Sequence, residues 1–146
     1  MIPRLYFAYG SNMDPRQMRV RCPDAESLGR VTLDGYRFLI NRRGVATIER
    51  DIRARVTGVL WDLPPRGEAT LDRFEGVIWG FYRKEEVFVR DEDGVEYPAL
   101  AYIDPVRERG LPREGYLERV LLGARRAGIP MSNFASYLNW TRRHAA

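Results

Sequence analysis

The sequence predicts an α+β domain built around a curved or closed sheet. Its predicted elements follow the order β-α-β-β-β-α-β-β-α-α, whereas a doubly wound parallel sheet requires strict alternation of strands and helices. The 146 residues have the length of one ordinary domain, and an apolar fraction of 45% suffices for a packed core. We therefore expect residues 1–146 to form a single domain. Periodicity alone does not distinguish a barrel from an open sheet.

The N-terminal half contains most of the strand signals. An apolar, aromatic run at 5–9 predicts a buried strand. Asp14 followed by Pro15 is typical of a helix start, so a short helix is expected to run to about Cys22. Residues with high β propensity predict three further strands at 31–41, 45–48 and 55–63. The first of these strands is expected to have a bulge at Gly35.

The C-terminal half predicts a helix, a hairpin and two more helices. The first helix is expected at 67–74, with Leu71 and Phe74 facing inward and Gly76 just beyond its end. The turn sequence at 91–94 separates two β-forming runs and predicts a hairpin of strands 81–90 and 95–103. Apolar residues at helical spacing predict the last two helices at 112–127 and 130–143.

Composition and charge argue against membrane and nucleic-acid partners. No run of about 18 apolar residues occurs, and the start Met1-Ile2-Pro3-Arg4 lacks the pattern of a signal peptide. The single cysteine, Cys22, cannot form an internal disulfide, so we expect a cytoplasmic protein. The net charge of +4 arises from 24 basic residues interleaved with 20 acidic ones, a mixed surface rather than a phosphate-binding stripe. The oligomeric state is not predicted.

Several catalytic chemistries lack the side chains that they need. The only histidine, His144, has two residues after it, so neither a Ser-His-Asp nor a Cys-His arrangement has a credible base. Zinc ligands are missing for the same reason, and no phosphate-binding glycine motif occurs. We expect no metal and no cofactor, and proton transfer by carboxylates or tyrosines. Cys22 is interpreted as a small buried apolar residue.

The loop Tyr9-Gly10-Ser11-Asn12 is the first candidate site. It lies between a buried strand and a helix, where backbone N–H groups can converge on an anion. Gly10 has no Cβ, so a ligand can approach the backbone, and Ser11 and Asn12 offer further donors. The same residues are also typical of an ordinary turn, and the loop alone leaves both interpretations open.

Glu75 is the second candidate. It is predicted to lie at the C-terminal end of a short helix, where the negative end of the helix dipole raises the pKa of a carboxylate. Partial burial would raise that pKa further, toward the value that an acid/base near neutral pH requires. The alternative is a solvated glutamate at a helix end.

The two segments together resemble the γ-glutamyl cyclotransferase-like family. The residues Tyr6-Phe7-Ala8-Tyr9-Gly10-Ser11-Asn12-Met13 are similar to its opening signature, and Leu71-Asp72-Arg73-Phe74-Glu75-Gly76 with Gly80-Phe81-Tyr82-Arg83 is similar to its catalytic-glutamate segment. The order of the two motifs and their separation along the chain are more specific for this family than either motif alone. The resemblance implies a small mixed β-barrel surrounded by helices.

The resemblance also implies a site and a reaction. Glu75 would be the catalytic acid/base, the loop Tyr9–Asn12 would bind the γ-glutamyl moiety, and Tyr82 would line the pocket. The α-amine of a γ-glutamyl amide would attack its own γ-carbonyl, releasing 5-oxoproline and a free amine or amino acid. Trp79 and the loop Arg42-Arg43-Gly44 are candidates for the leaving-group side, although Trp79 could equally be a packing residue.

The identity of the leaving amine stays open at this stage. Glutathione, γ-glutamyl dipeptides, γ-glutamylamines and a γ-glutamyl-protected biosynthetic intermediate all fit the same chemistry. A protein of the same fold that binds a γ-glutamyl or carboxylate ligand without turnover is the alternative function, because a fold does not dictate an activity.

Overall fold

The computed structural model describes residues 4–144, and its centre is a closed barrel of five strands. In the order around the barrel these are β1 (Arg4–Ala8), β3 (Ala46–Leu63), β2 (Glu26–Ile40), β4 (Arg83–Arg90) and β5 (Glu96–Ile103). Neighbouring strands are antiparallel except β1 and β5, which pair in parallel and close the barrel. The predicted α+β fold with a small mixed barrel is confirmed. The segment 1–3, used above to argue against a signal peptide, lies outside the described residues.

Four α-helices accompany the barrel: α1 (Pro15–Arg21), α2 (Gly67–Phe74), α3 (Tyr116–Arg126) and α4 (Ala135–His144). Short 3-10 helices lie at Ser11–Met13, Val77–Trp79 and Met131–Phe134. None of the helices in residues 4–144 combines the length and apolarity needed to cross a membrane.

The two longest strands differ from the predicted boundaries. β2 begins at Glu26, and β3 is continuous where the sequence predicts two strands. The bulge at Gly35 is confirmed: its φ is +80°, and the pairing shifts from Asp34 opposite Arg55 to Tyr36 opposite Arg50. Most of the intervening residues of β3 are charged or exposed, so they interrupt the apolar pattern although the backbone stays extended.

Two helix predictions also need correction. α3 begins at Tyr116 rather than at 112, after Gly115 with a φ of +75°, and the last helix begins with a 3-10 turn before Ala135. Leu71 is fully buried as predicted, but the inward orientation of Phe74 was wrong, because its ring is 53% exposed. That ring lies under the Arg21 guanidinium, 4.7 Å from its centroid.

Contacts between α1 and α3 hold the loop after β1 in place. Asp14 caps α1, since its Oδ1 accepts from the Arg16 backbone N–H at 2.9 Å. Its Oδ2 accepts from Arg126 of α3, also at 2.9 Å. Gly123 of α3 packs so closely here that a Cβ would lie 2.7 Å from the Asp14 Cβ. The residues just before Asp14 therefore have a well-defined position.

Candidate functional site

A cavity of about 660 Å³ opens beside the loop that follows β1. Its wall includes the end of α2, the turn between β2 and β3, and the beginning of α3. The structure brings together the residues predicted for catalysis and for binding the glutamyl moiety, since the cavity is lined by Tyr9, Gly10, Ser11, Asn12, Glu75 and Tyr82.

Glu75 lies directly after α2 and faces this cavity. Its backbone N–H donates to Leu71 O at 2.9 Å, which ends the helix, and Gly76 follows with a φ of +62°. A Cβ at Gly76 would come within 2.5 Å of the Phe81 ring, so glycine is required here both for its conformation and for the space. This tight turn directs the Glu75 side chain toward the loop after β1, where its Oε1 lies 3.5 Å from Asn12 Nδ2.

Burial raises the pKa of Glu75 to about 7, and the positive charge of Arg21 acts in the opposite direction. The residue is partly exposed, and the surrounding protein removes much of the water around its carboxylate. Desolvation is thus the main cause of the raised pKa of Glu75, whereas the sequence pointed first to the helix dipole. Near neutral pH both protonation states of Glu75 are populated.

Hydrogen bonds fix the orientation of the Asn12 amide. Its Oδ1 accepts from Gln17 Nε2 at 2.9 Å and from Arg21 Nη1 at 3.1 Å. Its Nδ2 donates to the Tyr6 hydroxyl at 3.0 Å and points toward Glu75. Because donors occupy the Oδ1 side, the Nδ2 side must face the carboxylate.

The backbone of the loop offers unused donors. The N–H groups of Gly10, Ser11 and Asn12 donate to no acceptor within residues 4–144, while the carbonyls of Gly10 and Ser11 accept from Met13 at 3.1 Å and Asp14 at 3.1 Å. Gly10 itself has a φ of −113°, which other residues also adopt. The role of Gly10 is therefore one of space rather than of backbone conformation. A Cβ here would contact Ala46 at 3.5 Å and occupy part of the cavity.

Three tyrosines form much of the remaining wall. Tyr82 donates to Ala46 O at 2.8 Å, and the Tyr116 hydroxyl accepts from Ala46 N at 3.2 Å. Tyr9 donates to the backbone of Tyr102. Burial raises the pKa of each of these tyrosines above its usual range, so the hydroxyls stay protonated at neutral pH. Carboxylates and tyrosines were the side chains expected to transfer protons. Of Glu75 and these three tyrosines, only Glu75 has a pKa near 7.

The predicted leaving-group residues divide into those that line the cavity and those that do not. Trp79 lines it and is 78% exposed. Arg43 also lines it, held by an ion pair with Asp104, whose side chain is fully buried, and by a hydrogen bond to Phe81 O at 3.2 Å. Arg42 instead pairs with Glu108 at the surface.

Sequence reasoning missed several residues of the wall. Tyr6 stands within the opening motif and Arg21 lies in the short helix predicted after it, but nothing in their spacing indicated contacts with Asn12. Tyr116, Arg113 and Arg119 fall within the helix predicted at 112–127, but the helical pattern did not indicate that they line a cavity. In the described part of the chain, no group of three or more His, Cys, Asp or Glu side chains is positioned to hold a metal ion.

Known proteins of similar sequence include two mammalian enzymes. Gamma-glutamylcyclotransferase of Homo sapiens is 29% identical over 137 residues, covering 87% of this chain and 73% of the relative. The Bos taurus gamma-glutamylcyclotransferase has the same identity and the same coverage.

Solved structures show the same fold. A gamma-glutamyl cyclotransferase superimposes with a TM-score of 0.83 at 28% identity, covering 90% of this chain and 83% of the other. YkqA from Bacillus subtilis superimposes with a TM-score of 0.75 at 28% identity, covering 99% of this chain but 54% of its own.

The family model for the AIG2-like family matches residues 55–140, which is more than half of the chain. The matched range includes Glu75 and Tyr82, while the loop after β1 precedes it. The resemblance to γ-glutamyl cyclotransferases is confirmed by these similarities in sequence and fold. The chain therefore belongs to the AIG2-like family.

Proposed function

We propose that this protein is a γ-glutamyl cyclotransferase, which converts a γ-glutamyl amide into 5-oxoproline and a free amine or amino acid. The observation that supports this most directly is Glu75, a cavity carboxylate whose pKa is raised to about 7 by burial. A group with that pKa both accepts and donates protons efficiently at neutral pH. The names of the mammalian relatives point to the same reaction.

In the proposed reaction Glu75 first takes a proton from the α-ammonium group of the substrate. The free amine then attacks the γ-carbonyl carbon, forming a five-membered ring and a tetrahedral oxyanion. Glu75 returns the proton to the departing nitrogen as its bond to carbon breaks. The ring nitrogen loses a second proton and the leaving amine gains one, so Glu75 can relay each in turn.

The loop after β1 would supply the substrate's anchor. The unused N–H groups of Gly10, Ser11 and Asn12 can bind the α-carboxylate or the developing oxyanion. Tyr9 and Tyr82 would confine the glutamyl chain between rigid, neutral walls. Because nucleophile and electrophile belong to one molecule, folding the substrate and excluding water provide much of the acceleration.

We further propose that the chain works as a single, cofactor-independent domain on a small molecule in the cytoplasm. The residues that we propose for proton transfer and substrate binding all line one cavity of this chain, so the proposed steps need no further group. Cys22 is buried and unpaired, as is common in reducing compartments.

The reaction is tested by comparing a γ-glutamyl amide with its N-acetyl analogue and identifying each product by mass spectrometry. We expect 5-oxoproline from the free amine and no cleavage of the acetylated compound, because acetylation removes the nucleophile. Release of glutamate, or cleavage of the acetylated compound, would indicate hydrolysis. Binding without any product would favour the non-catalytic alternative.

A further inference from the structure

The charged side chains around the cavity are strongly unbalanced. Among the lining residues, all from the described range 4–144, Glu75 is the only acidic one, against five arginines: Arg21, Arg43, Arg73, Arg113 and Arg119. Within residues 4–144 only Arg43 of these has a carboxylate partner closer than 4 Å, the buried Asp104. The other four guanidinium groups thus share a cavity with a single acidic side chain, Glu75, and none of the four forms an ion pair with a carboxylate in residues 4–144.

Two of these arginines lie near the start of α3: Arg113 just before it and Arg119 within it. The Arg113 backbone N–H donates to Gly44 O at 3.1 Å, and its Nε donates to Arg43 O at 3.0 Å. These bonds hold the stem of Arg113 against the turn between β2 and β3 and leave its terminal nitrogens for a ligand. Arg119 stands over the Tyr116 ring, 5.9 Å from the centroid, and so extends the same wall.

The glutamyl half of a substrate does not balance this charge. Its α-carboxylate and α-ammonium groups cancel, and in the proposed function both are handled by the loop after β1 and Glu75. The positive charge at Arg113 and Arg119 therefore favours negative charge on the other half of the substrate. A cationic leaving group, such as a diamine, would be repelled.

We infer that the leaving amine is acidic: an amino acid or short peptide with a side-chain carboxylate besides its α-carboxylate. Arg113 and Arg119 are the specificity-determining residues, since a guanidinium binds a carboxylate through two parallel hydrogen bonds. This inference rests on the proposed function and narrows its substrate class from any γ-glutamyl amide to acidic γ-glutamyl peptides.

The test compares γ-glutamyl-glutamate with γ-glutamyl-glutamine, which have nearly the same shape and differ in one carboxylate. We expect kcat/KM to be about two- to fivefold higher for γ-glutamyl-glutamate, because Arg113 and Arg119 are exposed and solvent weakens their ion pairs. The ratio should fall as salt is added. Arg113→Gln and Arg119→Gln should each reduce it, whereas Arg125→Gln, at an exposed position of α3 outside the cavity, should not.

A binding measurement separates this inference from the proposed reaction. Calorimetry with the Glu75→Gln variant compares the Kd values of the two peptides without turnover. Tighter binding of γ-glutamyl-glutamate supports the inference even if neither peptide yields 5-oxoproline, a result that would refute only the proposed reaction. Equal Kd values, or equal kcat/KM values in the wild type, would overturn the inference.

Discussion

Replacing Glu75 by glutamine should stabilise the folded protein at alkaline pH. Burial raises the pKa of this carboxyl from 4.5 to about 7 in the folded state. Above pH 7 the folded chain therefore holds a charged carboxylate in a site that favours the neutral form, while the unfolded chain exposes it to water. Glutamine has nearly the same shape and no charge, so the variant avoids this cost.

The sign and size of the effect follow from the two pKa values. Below 4.5 the carboxyl is protonated in both states and costs nothing; the cost grows as the pH rises from 4.5 to about 7, then stays constant. At about 1.4 kcal/mol per pH unit, the full cost is roughly 3 kcal/mol. We expect the variant to gain about 2–3 kcal/mol in free energy of unfolding at pH 8, and less than about 1 kcal/mol at pH 5.

Urea denaturation at both pH values, followed by circular dichroism, measures this difference. Glu96→Gln serves as the matched control, because Glu96 is exposed on β5 and does not line the cavity. The difference in free energy of unfolding between this control and the wild type should be nearly the same at the two pH values. A Glu75→Gln variant with the same gain at pH 5 and pH 8, or with lower stability than the wild type at pH 8, would refute the assignment of a buried, titrating carboxyl.

Four further outcomes concern activity. Glu75→Gln should lower turnover by about 10²–10⁴ and still bind substrate; near-normal turnover in a folded variant would exclude Glu75 as the base. In the wild type, kcat/KM should rise with pH through about 7, as the carboxyl ionises, and the variant should lose that dependence. Gly10→Ala should fold, because its methyl group would meet Ala46 at 3.5 Å and the Tyr116 hydroxyl at 3.7 Å, but it should raise KM by filling cavity space; an unchanged KM would show that the substrate does not approach Gly10. Activity should survive exhaustive chelation, since no metal cluster occurs in residues 4–144; a loss that a metal ion restores would contradict cofactor-free chemistry.

Local backbone chemistry accounts for the parts of the fold that the sequence predicted well. Asp14 caps α1, Gly76 follows the end of α2, and the turn at 91–94 joins β4 to β5, as expected from residues that act on their immediate neighbours. The boundaries of β2 and β3 were missed for the opposite reason. Their pairing across the barrel keeps charged, exposed segments extended, and no local propensity encodes that partner.

The sequence by itself determined which residues were candidates for the site, through the two motifs and the absence of other catalytic side chains. Only the tertiary structure decided how they meet. Asn12 and Glu75 are 63 positions apart along the chain and come together across the cavity. The raised pKa of Glu75 and the unpaired arginines depend in the same way on the folded wall around them. Burial and charge balance are properties of all the groups that surround a point in space, and the closed barrel gathers those groups from distant parts of the sequence.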